Sequence, residues 1–150
     1  MNLHYTGHEV VPAPRDVVWA FITDPRSVAS CLPDVVDTTV ADERHFTSKV
    51  KVAVGPVRGT FTFKIALEPL ADRSRMNMTI SGGGFGSVVD LVAGADIRDN
   101  GDATTALDWT GDATMRGPVA TIGGRVLDAQ AQRIIATTFA NVKTRLAAPS

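Results

Sequence analysis

The sequence has few of the residues on which several common classes of protein depend. Its single cysteine, Cys31, excludes an internal disulfide framework and is compatible with a reducing compartment. It contains no run of roughly 18 apolar residues, so it predicts no membrane-spanning helix. The opening residues, Met1 to Tyr5, have neither a basic nor an apolar segment, and we therefore expect no secretory signal.

Neither sign of charge predominates in the composition. The chain has 15 Lys and Arg against 16 Asp and Glu, for a net charge of −1, and the cations are scattered along it. This distribution argues against nucleic acid as the main partner. With 150 residues, 44% of them hydrophobic, the chain is large enough for one domain with a real core. We predict a single domain over residues 1–147, and the start of a C-terminal linker at residues 148–150.

The first hundred or so residues carry mainly strand patterns. Residues 3–11 predict a strand, and Pro14 then opens a short helix that ends at Asp24-Pro25. A second short helix is predicted at about 26–31. From Val35 to Met115 the apolar residues alternate with polar ones, which predicts six further strands in an antiparallel sheet with one apolar face.

The last third of the sequence predicts one long helix, from Gly117 to about Ala147. Its apolar residues recur at helical spacing, and a helix of about 30 residues is about 45 Å long. The pattern therefore predicts an α+β domain in which a curved antiparallel sheet wraps around the long helix. The space between them is either a packed core or a cavity. The predicted stripe comprises Val119, Ile122, Val126, Ile134, Thr138, Val142 and Leu146, widened by Leu127, Ala131, Ile135 and Phe139.

We find no group of residues that predicts catalysis. His4 and His8 share a strand face, but two histidines are too few for a typical zinc site. Cys31 has no identifiable base partner, which favours a small buried apolar role. None of the glycine-rich stretches is followed by the Lys-Ser/Thr of a phosphate loop. We therefore predict no catalytic residues, no metal site and no enzymatic activity.

Gly123 and Gly124 stand within the predicted helix, where each costs about 1 kcal/mol relative to alanine. One interpretation is close packing of the helix backbone on the sheet. The other is that the missing side chains leave room at one end of a cavity and control ligand access. On the second interpretation, Gly123→Leu weakens ligand binding while the fold survives.

Several segments carry a resemblance to a known family. They are Val10 to Pro25, Val28 to Pro33, Lys49 to Phe61, Gly82 to Gly84, and Gly123 to Leu127. The chain resembles the START-like, birch-pollen-allergen-like helix-grip superfamily. Within that superfamily it is similar to the CoxG family, whose members are subunits of carbon monoxide dehydrogenase.

The resemblance implies a helix-grip fold with an apolar cavity and with no metal, flavin or catalytic triad of its own. It also implies a partner, the molybdenum-containing carbon monoxide dehydrogenase, which such proteins recruit to the cytoplasmic side of the cell membrane. Attachment in such proteins commonly uses a C-terminal tail, and we expect none within these 150 residues. An electron-transfer enzyme at a membrane implies a respiratory quinone as the carried ligand, with menaquinone as the expected one.

We therefore expect a non-enzymatic carrier that presents a quinone to the dehydrogenase. The alternatives are a purely structural recruitment subunit and a small cyclase or hydrolase on the same fold. The enzyme ranks last because the inward faces are nearly all apolar, with Ser48, Thr105 and Gln130 as exceptions. The predicted ligand-binding residues are Phe61, Phe63, Met78, Leu91, Trp109, Ile122, Gly123 and Val126.

Overall fold

A computed structural model describes residues 1–147, so the linker predicted at 148–150 lies outside the described residues. The element order is the predicted one: a strand, two short helices, six strands and a long helix. The strands are β1 (Asn2–Val11), β2 (Val35–Val40), β3 (His45–Val54), β4 (Val57–Pro69), β5 (Arg75–Gly84), β6 (Ser87–Asp99) and β7 (Thr105–Arg116). The helices are α1 (Arg15–Ile22), α2 (Pro25–Cys31) and α3 (Gly124–Leu146).

The seven strands form one antiparallel sheet in the order β1-β7-β6-β5-β4-β3-β2. Neighbours in sequence are neighbours in the sheet, except that β1 pairs with β7. This arrangement leaves β1 and β2 at the edges, with α1 and α2 joining them. The sheet is curved, its apolar face is turned toward α3, and the predicted α+β helix-grip fold is confirmed.

The two short helices form a compact corner. Asp24 caps α2 by accepting hydrogen bonds from the backbone N–H and the hydroxyl of Ser27, at 3.2 and 2.7 Å. Pro25 occupies the first turn, where a missing N–H costs no helical hydrogen bond. These hydrogen bonds hold the pKa of the Asp24 carboxyl below its usual value. Cys31, at the end of α2, lies in the core as predicted, and burial raises the pKa of its thiol.

The long helix begins later than the sequence predicted. Gly117 and Gly123 have φ of 83° and 108°, which a right-handed helix excludes, and a 3₁₀ turn at Pro118–Thr121 lies between them. Helix α3 therefore has 23 residues and is about 35 Å long, not the predicted 45 Å. Gly123 and Gly124 do not interrupt this helix, because Gly123 is its N-cap and Gly124 is its first residue.

Opposite sides of α3 are attached to the two edges of the domain. The Lys143 ammonium lies 2.6 Å from the Glu9 carboxylate on β1. On the other side, the Asn141 amide donates to the Cys31 carbonyl at 2.9 Å, and Arg133 pairs with Asp34 at 2.8 Å. These contacts hold the helix over the concave face of the sheet.

The core of the described residues is divided into two clusters. The larger lies under α1, α2 and the C-terminal part of α3, and includes Val11, Phe46, Leu107 and Val142. The smaller lies near the start of α3 and consists of Val54, Met115, Val119 and Leu127, with partly buried neighbours. On β7, Met115 belongs to one cluster and Leu107 to the other, eight residues away, or about 26 Å along the strand.

Candidate functional site

Between the two clusters runs a band of the concave face that we call the middle strip. It belongs to neither cluster in the part of the chain that the structure describes. Most of its side chains are only partly buried, although they lie on the inner face under α3. These inner-face side chains are therefore not fully enclosed by the sheet and α3. The middle strip comprises Tyr5, Phe61, Leu91, Ala93, Gly111 and Ala113 from the sheet, and Ala131 and Ile135 from α3.

Gly111 has little packed against it on the inner face of the middle strip. The residue is buried, and its cross-strand partners are Tyr5 on β1 and Ala93 on β6. Yet a Cβ at this position would meet, among the described residues, only the Leu91 Cδ1 atom, at 3.9 Å. Protein interiors are normally packed to the density of organic crystals. The place of a Cβ next to this buried backbone atom is therefore unfilled, and we take the middle strip as the candidate ligand site.

Three of the predicted ligand-binding residues, Phe61, Phe63 and Met78, lie on β4 and β5. Phe61 is 1% exposed, and its ring centroid lies 6.1 Å from that of Phe63. Met78 is partly buried and packs with Phe63 against the larger cluster. On the outer side, Phe61 contacts Phe85, whose ring is 68% exposed at the β5–β6 turn. Three aromatic rings thus lead from the surface toward the larger core cluster.

Leu91 and Trp109, two further predicted ligand-binding residues, lie on the neighbouring strands β6 and β7. Leu91 borders the space over Gly111. Trp109 lies against Gly7 of β1, and its ring centroid is 5.5 Å from that of Phe139 on α3. Its indole N–H is buried without a hydrogen-bond acceptor in residues 1–147. The sheet register therefore places both of these predicted ligand-binding residues on the inner face.

The remaining predicted residues lie around the start of α3, apart from the middle strip. Ile122 precedes the helix and faces Gly55 of the β3–β4 turn, while Val126 is 46% exposed. A Cβ at Gly123 or at Gly124 would meet no described atom within 4 Å, so the close-packing interpretation of these glycines is wrong. The role of Gly123 in ligand access stays a prediction, and its positive φ means that Gly123→Leu also strains the backbone.

A polar pair on the inner face was missed by the sequence analysis. The Tyr5 hydroxyl donates a hydrogen bond to Asp128 Oδ1 at 2.7 Å, and the Gln132 amide donates to Asp128 Oδ2 at 3.0 Å. Burial and the neighbouring carboxylate raise the pKa of Tyr5 to about 12. One signal was available: Asp128 precedes Ile135 and Val142 by seven and fourteen residues, a spacing that places all three on one helix face.

Two of the three polar exceptions noted in the sequence are buried with partners, while the third, Gln130, accepts a hydrogen bond from Arg133 at 3.4 Å. Ser48 lies 3.0 Å from the Thr38 hydroxyl, and the Thr105 hydroxyl donates to the Ala13 carbonyl at 2.8 Å. Both side chains are fully buried, so these hydrogen bonds offset the cost of removing them from water. Neither residue is free to act on a ligand.

The histidines of β1 lie on the outer face of the sheet. His8 lies 2.7 Å from Asp108, and His4 is paired with Asp112, so each imidazole has its own carboxylate on β7. His8, followed by Arg98, holds the pKa of Asp108 below its usual value. Within residues 1–147 there is no group of three His, Cys, Asp or Glu side chains arranged to hold a metal ion.

Two surface grooves, of about 560 and 440 Å³, lie beside α2. Both are lined by Arg26 and Val40, and the larger extends to the β2–β3 loop, with Asp42 and Arg44. None of the predicted ligand-binding residues lines either groove. They are therefore surface features separate from the middle strip. No helix in the described part of the chain is long and apolar enough to cross a membrane.

Solved structures of similar shape cover nearly the whole chain. A conserved protein from Geobacillus kaustophilus shares 21% identity at a TM-score of 0.86, covering 97% of this chain and 95% of its own. A START superfamily protein from Mycobacterium smegmatis shares 13% identity at a TM-score of 0.73, covering 95% and 96%. The ZhuI aromatase/cyclase from Streptomyces sp. R1128 shares 17% identity at a TM-score of 0.67, covering 97% and 94%. At these identities the likeness establishes the fold alone.

No curated protein matches this sequence. The sequence model of one family, the CoxG subunit of carbon monoxide dehydrogenase, matches residues 7–147, which is nearly the whole of the described chain. The match includes six of the seven strands in full, half of β1, and all three helices. The chain therefore belongs to the CoxG family of carbon monoxide dehydrogenase subunits.

Proposed function

We propose that this protein is a non-enzymatic carrier for a respiratory quinone, menaquinone being our specific candidate. It would take the quinone from the membrane and present it to carbon monoxide dehydrogenase. The observation that carries the proposal is the incompletely filled middle strip, above all the space over Gly111. The family name supports the choice of partner.

The chemistry of the middle strip suits an apolar ring with a hydrocarbon tail. Its walls are aromatic, aliphatic or glycine, apart from the Tyr5–Asp128 pair. Burial of apolar surface contributes about 25 cal/mol per Å², and a quinone tail gains no such free energy on leaving one apolar environment for another. Release from the bilayer therefore requires a ligand site that is nearly as dry as the bilayer interior.

We place the working protein at the cytoplasmic face of the cell membrane, bound peripherally next to the dehydrogenase. Family resemblance is the support for this location. The dehydrogenase would supply the electrons, and this protein would supply only the quinone. No residue of the middle strip is assigned a catalytic role in this proposal.

Coupled quinone reduction tests the proposal directly. Carbon monoxide dehydrogenase is mixed with carbon monoxide and with vesicles that contain menaquinone, and quinone reduction is followed by absorbance. We expect reduction to be fast only when this protein is added, and absent without carbon monoxide.

Three other outcomes would each contradict the carrier. Equal reduction without this protein would show that the dehydrogenase needs no carrier. Binding of the dehydrogenase to vesicles without any quinone binding would favour the structural recruitment subunit. Turnover of a small molecule by this protein alone would favour an enzyme, for which Tyr5 and Asp128 would then be the first residues to replace.

A further inference from the structure

The Tyr5–Asp128 pair joins the sheet to the helix next to the open space. Tyr5 lies on the inner face of β1, directly opposite Gly111 in the sheet register. Asp128 lies on the second turn of α3, on the same helix face as Ile135. The hydrogen bond of 2.7 Å between them therefore crosses from the sheet to α3 beside the space over Gly111.

The pair offers hydrogen-bond acceptors, not donors, to a ligand. The Tyr5 hydroxyl proton is directed to Asp128 Oδ1, and its raised pKa keeps that proton in place at neutral pH. Gln132 directs one amide proton to Asp128 Oδ2. What remains available are lone pairs on the tyrosine oxygen and on the carboxylate. A ligand group that only accepts hydrogen bonds, such as a carbonyl, finds no free proton on the Tyr5 hydroxyl or on the Asp128 carboxylate. The second amide proton of Gln132 belongs to an exposed side chain, and the Trp109 indole N–H lies against Gly7.

We propose that Tyr5 and Asp128 form a hydrogen-bond-accepting headgroup site that selects a ligand hydroxyl over a carbonyl. The inference rests on the carrier function proposed above and specifies the headgroup chemistry of the same site. It assigns the tighter binding to a hydroxyl-bearing ring, as in a quinol or a phenol, and the weaker binding to the oxidised quinone. A carrier with this preference releases quinone more readily than it releases quinol.

The test uses three probes with one apolar body and no redox change during the measurement. They are a 2-alkyl-1-naphthol, its methyl ether and the corresponding 2-alkyl-1,4-naphthoquinone, each titrated by calorimetry. A hydrogen bond to a charged acceptor is strong enough to change affinity by about tenfold. We expect the naphthol to bind about tenfold more tightly than the ether or the quinone.

Asp128→Asn is the decisive variant, because it keeps the shape and replaces acceptor oxygen with a donor amide. The naphthol preference should fall to near unity, and the quinone should bind more tightly than it does to the wild type. Glu9→Gln is the matched control, since it neutralises another inner-face carboxylate, which pairs with Lys143. That variant should keep the tenfold preference.

The ratio of affinities separates headgroup selection from a purely structural hydrogen bond. A structural role would weaken all three probes by the same factor and leave the ratio unchanged in Asp128→Asn, which would overturn the inference. Should Asp128→Asn fail to fold, Tyr5→Phe provides a second test. It frees Asp128 Oδ1, so the naphthol preference should persist or increase, and its loss would contradict the inference.

The outcomes also separate this inference from the carrier function. If the wild type binds all three probes equally, the headgroup inference fails and the carrier stands. If the wild type binds none of them, the carrier function fails, and the headgroup site fails with it.

Discussion

Gly111→Leu should weaken the binding of a 2-alkyl-1,4-naphthoquinone by at least tenfold, or about 1.4 kcal/mol. The leucine side chain would project into the space over Gly111. Among the described residues, only the Leu91 Cδ1 atom lies within 4 Å of the position that its Cβ would take. Gly111 has no positive φ, so the strand accepts a side chain without backbone strain. Binding is measured by the quenching of tryptophan fluorescence. Trp109, on the inner face next to the middle strip, contributes to this signal together with Trp19.

Two further variants show whether occupancy of the space is the cause. Gly111→Ala should bind nearly as well as the wild type and unfold at a slightly higher temperature, since alanine reduces the entropy of the unfolded chain. Thr114→Leu adds the same side chain to β7 on the exposed outer face and should leave binding unchanged. Unchanged binding in a well-folded Gly111→Leu would show that the ligand does not occupy this space.

Gly7→Val should destabilise the fold by about 1–3 kcal/mol, the usual cost of overpacking. A Cβ at Gly7 would lie 2.4 Å from the Trp109 Cζ2 atom, so the indole must move away from Gly7. Phe139 of α3 lies on the indole at a centroid distance of 5.5 Å and resists the movement. Urea unfolding monitored by tryptophan fluorescence measures both the loss of stability and the changed environment of Trp109.

Thr6→Val is the matched control for this variant. Thr6 is the neighbouring residue on β1, and its side chain is exposed on the opposite face. Such surface substitutions usually change stability by no more than about 0.5 kcal/mol. A Gly7→Val protein as stable as Thr6→Val would show that the indole does not rest on Gly7.

Most of the sheet could be predicted from the sequence, because each strand has one wet face and one apolar face. Residues such as Phe61, Phe63 and Ile65 alternate with exposed Thr62 and Lys64, and the structure keeps that alternation. Turn residues such as Gly101 mark where the strands end. The order of the elements followed from these local signals alone.

The start of α3 was mispredicted because apolar spacing continues through a segment that is not helical. Val119 and Ile122 fit the stripe by position. Yet Val119 lies in a 3₁₀ turn, and Ile122 is the residue that follows this turn. Gly117 and Gly123 supply the positive φ that sets this segment apart. Greater weight on glycine as a sign of a break, and less on apolar spacing, would have placed the helix start correctly.

The open space and its polar pair could not be predicted, because both depend on which side chains neighbouring strands bring together. Gly7 and Gly111 are both inner-face strand glycines, but Trp109 fills the place above Gly7 and nothing similar among the described residues fills that above Gly111. Tyr5 and Asp128 are 123 residues apart in sequence. Only the pairing of β1 with β7 and the position of α3 bring them together.

Extraction of menaquinone from vesicles by the purified protein shows whether it carries a quinone. After incubation, the vesicles are removed by centrifugation, and the quinone that remains with the protein is measured by mass spectrometry of an organic extract. If the protein is a carrier, the ratio of quinone to wild-type protein should approach unity, and Gly111→Leu should retain little. Wild-type protein that retains no more quinone than a vesicle blank would contradict the carrier function.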